Sequence, residues 1–279
     1  MTTPLLEVVD IGQRFALKGP WWKKRQYFQA VKGVSLRVRA GETLGIVGES
    51  GSGKSTLGKT ILNLLRPSEG ALYFQGHEYT HVRGKEMRAL RQQMQMVFQD
   101  PMESLNARHT IGMIIEEPLL IHGLGNQQQR RARVLALLEK VGMPASSIDK
   151  YPHEFSGGQR QRIGIARAIA LSPKLLICDE AVSALDVSVQ AQIINLLLSL
   201  QQEMGLATIF IAHDLSVVRH VSDRIAVMYQ GEIVEQGEAQ QVYHAPQHPY
   251  TQKLLAAIPV RHPSLRKREQ INLSQQQAV

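Results

Sequence analysis

The chain has 279 residues, enough for one large domain or two small ones. Hydrophobic residues make up 43% and charged residues 20%, and the longest apolar stretch, Ile193 to Leu200, is broken by Asn195 and Ser199, far short of the roughly 20 residues that span a bilayer. The formal net charge of +8 admits nucleic acid, an anionic membrane face or an anionic ligand, or simply a solvated basic surface, but no basic stripe with interleaved aromatics argues for RNA or DNA.

The opening MTTPLLEVVD lacks a basic region and a cleavage site, so no secretory signal is expected. Leu5 to Ile11 reads as a strand, and Gly12 to Gln29, polar and aromatic with Gly19-Pro20, reads as a loop. That stretch holds the basic cluster 21–25; a second lies at 266–268. Val34, Leu36 and Val38 alternate with polar residues, the pattern of a half-buried strand. Ala40-Gly41-Glu42 turns the chain into the apolar run Thr43 to Val47, which predicts a buried parallel strand.

Next comes GESGSGKST, comprising Gly48, Glu49, Ser50, Gly51, Ser52, Gly53, Lys54, Ser55 and Thr56. It fits G-x-x-x-x-G-K-[ST], and the helix-compatible segment Leu57 to Leu65 follows it. Glycines let backbone N–H groups turn inward on an anion, and the helix N-terminus adds the positive end of its dipole. Lys54 would reach the β/γ-phosphates of a nucleotide, and the Ser55 hydroxyl would hold Mg²⁺.

Ala71 to Gln75 reads as a strand, Gly76 to Gly84 as a loop and Met94 to Gln99 as a short apolar strand. From about residue 100 to 160 the character changes: Thr110 to His122 and Gln127 to Val141 have helical spacing, broken at Gly123 and Gly125, and predict a helical insert. Ser156, a good N-cap, opens a helix through Ala170. Lys174 to Asp179 is a second buried strand; it carries the chain's single cysteine, Cys178, which excludes an intrachain disulfide. Val187 to Gln202 is helical, Ala207 to Ala212 is a third buried strand, and Leu215 to Val221 is helical. Ile225 to Tyr229 and Glu232 to Glu235 form a hairpin around Gln230-Gly231, followed by short helices at Ala239 to Tyr243 and Tyr250 to Ala257. The tail 259–279 is polar. Strands alternating with helices predict an α/β sheet with parallel strands, its ligand at their C-terminal ends.

Two further stretches carry chemistry. KLLICDE ends a strand in two carboxylates: in a phosphate-loop protein Asp179 binds Mg²⁺, and Glu180 is placed as general base toward an attacking water. FSGGQ sets Ser156, Gly157, Gly158 and Gln159 at a helix N-terminus, a second anion site too far along the chain to belong to the first. A γ-phosphate held between two subunits makes sense of both.

Taken in order, Gly48 to Thr56, Gln99, Ser156 to Gln159, Asp179-Glu180, the SALD stretch ending at Asp186, and His213 resemble the motif series of an ABC-type ATPase, over nearly the whole chain. The phosphate loop alone would say NTPase; with FSGGQRQR the resemblance is highly specific. It implies a phosphate-loop α/β core with an antiparallel β subdomain and a helical subdomain, within an ATPase domain at 1–258 and a polar tail at 259–279. It implies ATP and Mg²⁺ as cofactors. Gln99 resembles the glutamine that ligates Mg²⁺ and senses the transmembrane partner, Asp186 an aspartate at the dimer interface, and His213 a histidine on the γ-phosphate. An aromatic stacks on adenine: Phe15 is the first choice, Tyr27 and Phe28 the alternatives.

QDPMESLNAR, SALDVSVQAQ, IFIAHDLSVV and HPYTQKLLAAIP narrow the resemblance to ATPase subunits of oligopeptide, dipeptide and nickel importers. Such a subunit would sit at the cytoplasmic face of the inner (plasma) membrane, docked on separate permease subunits. Its partner would be a second ABC ATPase, by preference a different chain, with an extracytoplasmic solute-binding protein acting indirectly and no nucleic acid. An ABC ATPase serving an exporter, DNA or the ribosome is the alternative. Roughly a hundred residues without sustained heptads separate phosphate loop and signature, which argues against the chromosome-maintenance type. Two departures stand out: Ala181 stands where most ABC ATPases have proline after the carboxylates, and the C-terminal region lacks the cysteines with which some members of the importer group hold an iron–sulfur cluster.

Overall fold

The computed structural model describes residues 3–17, 26–100, 104–183 and 185–257; the basic clusters 21–25 and 266–268, the tail 259–279 and Ala184 lie outside them. Two sheets divide the strands. β1 (Leu6–Ala16), β2 (Tyr27–Val38), β4 (Glu69–Phe74) and the two-residue β5 (His77–Glu78) form an antiparallel sheet in the order β2-β1-β4-β5. The other sheet runs β10-β9-β3-β8-β7-β6, with β3 (Thr43–Val47), β6 (Met94–Val97), β7 (Leu175–Asp179), β8 (Ala207–Ala212), β9 (Arg224–Tyr229) and β10 (Glu232–Glu238). All its pairings are parallel except that of the edge strand β10.

The central strands are apolar because both of their faces are covered. Along β7 and β8, Leu175, Ile177, Ile209 and Ile211 face one hydrophobic cluster, while Leu176, Cys178, Phe210 and Ala212 face the other. The first cluster lies under the antiparallel sheet, α1 (Lys54–Ile61) and α2 (Gly84–Gln93); Leu57, Ile61 and Met87 belong to it. The second takes in the helical insert, α3 (Ile111–Ile121) and α4 (Gln127–Lys140), and then α5 (Gly157–Ile169), α6 (Val187–Met204) and α7 (Leu215–Val221). Each fully buried Leu, Ile or Phe contributes roughly 1.5–3 kcal/mol. Gly45 in β3 is a point of close approach: a Cβ there would stand 2.0 Å from Val218 Cγ1 on α7.

The insert begins and ends on polar caps. Thr110 accepts from Met113 N at the start of α3, and Asn126 and Gln129 form a reciprocal capping box at the start of α4. The short helices α8 (Ala239–His244) and α9 (Pro249–Ala256) close the described chain.

The expected loop at Gly12 to Gln29 is overturned at both ends, since β1 continues to Ala16 and β2 begins at Tyr27. The sequence there lacks apolar alternation because the extension runs past the core: Arg14, Phe15, Ala16, Tyr27, Phe28 and Gln29 are all exposed. Cross-strand pairing of Phe15 with Phe28 and of Ala16 with Tyr27 holds it instead. Gly84, expected to end a loop, instead opens a helix through Gln93 whose sequence sets no apolar period, with Met87 alone buried.

Strand register brings the chemistry to one edge. Val47 pairs with Ala212, Asp179 with Ile211 and Val97 with Cys178, so β3, β8, β7 and β6 finish level. Gly48, His213, Glu180 and the Phe98-Gln99 pair are the residues that leave that edge.

Candidate nucleotide site

The phosphate loop leaves β3 and enters α1 through Gly53, whose φ of +106° is open to glycine and strained for other residues. A Cβ at Gly53 would also stand 2.3 Å from the Ala30 carbonyl of β2. Gly53 offers α1 no side-chain cap, which leaves the first-turn N–H groups available to an anion. Lys54, 3% exposed, donates to the carbonyls of Gly48 (2.7 Å) and Glu49 (2.8 Å). Burial lowers its pKa, against the pull of Glu180 and Asp179. A buried ammonium folded onto two carbonyls is a charge waiting for a better partner.

Ser55, in the first turn of α1, donates its hydroxyl to Asp179 Oδ1 at 2.7 Å. Asp179 is 3% exposed; burial raises its pKa most, Ser55, Lys59 and Lys54 lower it, and Glu180 raises it further. Glu180 adopts a left-handed φ of +47°, fixed by its N–H to the Ile211 carbonyl (2.9 Å) and by a turn in which Ser183 N and Oγ donate to the Glu180 carbonyl. Such backbones in non-glycine residues concentrate at functional sites. Gln99 Nε2 donates to Glu180 Oε2 at 2.9 Å. His213 follows β8 directly and is exposed. A cleft of about 840 Å³ opens beside Ser55, Gln99 and Asp179, walled by Phe98 and by Arg167 of α5.

Thus Lys54, Ser55, Gln99, Asp179 and Glu180 meet in one hydrogen-bonded and electrostatic cluster. Ser55, Asp179 and the amide oxygen of Gln99 make a hard-oxygen donor set with one buried carboxylate, which fits Mg²⁺ completed by phosphate oxygens and water.

Phe15 and Phe28 pair on the hairpin that passes the phosphate loop at Ala30, and both are exposed, Phe15 at 37%. Tyr27 lies under the Arg14 guanidinium, 5.3 Å from its ring centre. All three aromatics are therefore displayed beyond the loop on one strand pair.

Ser156, Gly157 and Gln159 are exposed at the start of α5. Ser156 Oγ accepts from Gln159 N, and Gln159 Oε1 accepts from Ser156 N. Among the described residues no hydrogen bond ties this stretch to the phosphate loop. Asp186 holds the N-cap position of α6 without capping it by its side chain, and it too is exposed. Gly158 is different: it is buried, and a Cβ there would meet Val189 Cγ1 at 2.4 Å.

One contact had no sequence signal. Tyr250 of α9 accepts a hydrogen bond from Glu49 N at 3.0 Å, reaching the phosphate loop across some two hundred residues of chain.

The ABC transporter family model matches residues 31–183, which span the phosphate loop, the signature and both carboxylates. The chain belongs to the ABC transporter family. A second model, oligopeptide/dipeptide transporter, C-terminal region, matches this ABC chain at residues 234–279. It is 53% identical over 273 residues to the oligopeptide transport ATP-binding protein OppF of Escherichia coli (strain K12), covering 96% of this chain and 82% of that one. It is 47% identical over 272 residues to the dipeptide transport ATP-binding protein DppF of Haemophilus influenzae, covering 98% and 83%. It is 50% identical to the glutathione import ATP-binding protein GsiA of Pectobacterium atrosepticum, covering 97% of this chain and 44% of that one. Among solved structures, a dimeric ATP-binding cassette in a post-hydrolysis state bound to ADP and Pi superposes with a TM-score of 0.75 at 29% identity, covering 84% of this chain and 98% of the other. This ABC chain is an ATPase: it binds ATP and hydrolyses it.

Proposed function

We propose that this ATPase powers an importer of oligopeptides, dipeptides or similar peptidic solutes, and that it does so as a peripheral subunit on the cytoplasmic face of the inner membrane. The observation that carries the reading is the half-identity to oligopeptide and dipeptide transport subunits over nearly the whole chain, together with the C-terminal match at 234–279. Among the described residues no helix is long and apolar enough to cross a membrane, which fits docking on separate permease subunits. The 840 Å³ cleft at Gln99 fits the place where such a partner would be sensed. The ATPase domain would occupy 1–258, its helical insert about 100–160, followed by the tail 259–279.

In this reading ATP lies on the phosphate loop with its adenine against Phe15. Lys54 turns from the Gly48 and Glu49 carbonyls to the β/γ-phosphates, which relieves its buried charge. Ser55, Asp179 and Gln99 would hold Mg²⁺, which neutralises charge developing on the transferred phosphoryl group. Glu180 accepts the proton of the attacking water, and Gln99, now bonded to Glu180, sets where its carboxylate points. His213 contacts the γ-phosphate. The signature stretch of a second ABC ATPase closes this site from across the interface, and Ser156 to Gln159 and Asp186 of this chain close the partner's; that partner is by preference a different chain, with a homodimer as the other arrangement. Dimeric neighbours of this fold are consistent with a two-subunit sandwich. A solute-binding protein outside the membrane would choose the solute, and nucleic acid has no part.

The test is uptake. Cells lacking this gene, complemented with the wild-type chain, should take up labelled peptides; complementation with Lys54→Ala should not. Uptake unchanged by the deletion, or labelled peptide leaving rather than entering inverted vesicles, would sink the importer reading.

A further inference from the structure

The peptide unit between Gly48 and Glu49 is gripped at both ends. Its carbonyl accepts from Lys54 Nζ at 2.7 Å, and its N–H donates to Tyr250 Oη at 3.0 Å. Lys54 is one of the groups that must leave its carbonyl when phosphates arrive. Once it does, Tyr250 is the side chain still fixing that peptide plane. A backbone amide free to rotate there would carry the rest of the loop with it, because the following residues supply the inward-facing N–H groups.

Tyr250 is itself held rigidly. It is 8% exposed, and its ring lies 4.1 Å from that of Tyr229, at the end of β9. Its own N–H donates to His248 Nδ1 at 3.2 Å. Glu235 of β10 accepts from Gln247 N at 2.8 Å and from His248 N at 3.0 Å, which pins the start of α9 to the sheet edge. The β9–β10 turn grips the loop as well: Gly231 N donates to the Ser52 carbonyl at 3.0 Å. This C-terminal element is the one for which periodicity predicted helices and gave no task.

We propose that Tyr250 is a positioning residue of the nucleotide site, holding the Gly48–Glu49 peptide in the phosphate-binding orientation after Lys54 has turned to the phosphates, so that the C-terminal helix α9 is a working part of the phosphate loop. The inference rests on the reading of this loop as the ATP site. Tyr250 does not touch the nucleotide; it acts through the Glu49 amide. The ring and its packing against Tyr229 give stability, and the hydroxyl gives loop geometry, so the two can be separated.

The experiment compares wild type, Tyr250→Phe and Tyr229→Phe, using Mg-ATP titrations on the isolated subunit, thermal unfolding and amide hydrogen exchange at Glu49. Tyr250→Phe should keep its melting temperature within a degree or two and lose about 3–10-fold in ATP affinity, the size of one hydrogen bond. Exchange at Glu49 should accelerate at least about tenfold with ATP bound, because the amide has lost its acceptor. Tyr229→Phe keeps the ring contact and leaves the Tyr250–Glu49 hydrogen bond in place, so its ATP affinity should match wild type. Wild-type affinity in Tyr250→Phe, or an equal loss in Tyr229→Phe, overturns the proposal. So does rapid exchange at Glu49 in the ATP-bound wild type, a measurement that needs no variant and stands even if Tyr250→Phe misfolds. Absence of ATP binding by the wild type would instead strike at the underlying reading of the loop, and it would take this inference down with it.

Discussion

The phosphate loop and the signature loop are both glycine-rich turns at helix N-termini, yet the chain treats them in opposite ways. Around the phosphate loop, charges are buried and cross-linked: Lys54 and Asp179 are each 3% exposed, and Glu180 is held in a left-handed backbone. Around the signature, the polar groups serve one another in a local capping box and stay exposed, and Val187 beside Asp186 is 76% exposed. The first region is under electrostatic strain that a ligand within the chain relieves. The second is relaxed and finished as a surface, as expected of a part completed only by contact with something else. One face is built to be filled, the other to cover.

The largest effect expected comes from the strained side. Glu180→Gln keeps the shape and the bond to Gln99 but removes the proton acceptor. Turnover should fall by roughly 10²–10⁴-fold while ATP binding persists, and an ATP-bound dimer should accumulate. Phosphate release in single-turnover assays checks this. Turnover near wild type would show that the strained side is not where the proton goes.

On the relaxed side the informative position is Gly157 rather than Gly158. A Cβ at Gly157 meets Leu185 Cδ2 at 3.4 Å, an ordinary contact, whereas at Gly158 it would collide with Val189 in the same chain. Aspartate at the first position of a helix is favoured by the dipole, so Gly157→Asp should fold with an unchanged or slightly raised melting temperature. The new carboxylate would oppose a γ-phosphate presented by a partner. At about 4 Å and an effective dielectric near 20 the repulsion is about 4 kcal/mol, so hydrolysis at the site this loop completes, on the partner's phosphate loop, should drop by roughly 10²–10³-fold. ATP binding to the isolated subunit should be untouched. Lost binding in a folded monomer would break the contrast, since the signature would then belong to its own chain's nucleotide.

How much of this was legible beforehand follows from the same contrast. The central strands were readable because burial on both faces leaves an unmistakable apolar run, as in Thr43 to Val47 and Ala207 to Ala212. Lys54, Ser55, Asp179 and Glu180 stand out because a phosphate and a divalent cation demand fixed residue types in a fixed strand-end context, whereas Gln99 carries no such local pattern and enters only through the resemblance. The outer hairpin was not, because its strands leave the core and carry exposed aromatics with no inward face. The α2 helix escaped because a single buried residue, Met87, sets no period. Tyr250 escaped for a third reason: it was visible as part of HPYTQKLL, but a side chain's service to an amide two hundred residues away leaves no local pattern.

The smallest expected effect probes the strain itself, at Asp179. Burial is the largest influence on its carboxyl and raises the pKa; the Ser55 hydroxyl, Lys59 and Lys54 oppose it, and Glu180 reinforces it. The folded pKa thus lies above the unfolded value. Below the unfolded value both states carry the proton and nothing is lost. As pH climbs through the folded value, the buried group ionises and the folded state loses stability relative to a neutral side chain. Asp179→Asn keeps an acceptor for Ser55 and removes the charge. The nucleotide-free variant should therefore melt above wild type at pH 7, with the gap closing toward pH 4. With Mg-ATP the sign should reverse, because wild type gains stability from a ligand the variant holds poorly. A nucleotide-free variant less stable than wild type at pH 7 would mean that Lys54 and Lys59 already satisfy Asp179. The phosphate-loop side would then be as relaxed as the signature, and the difference between them would lie in burial alone.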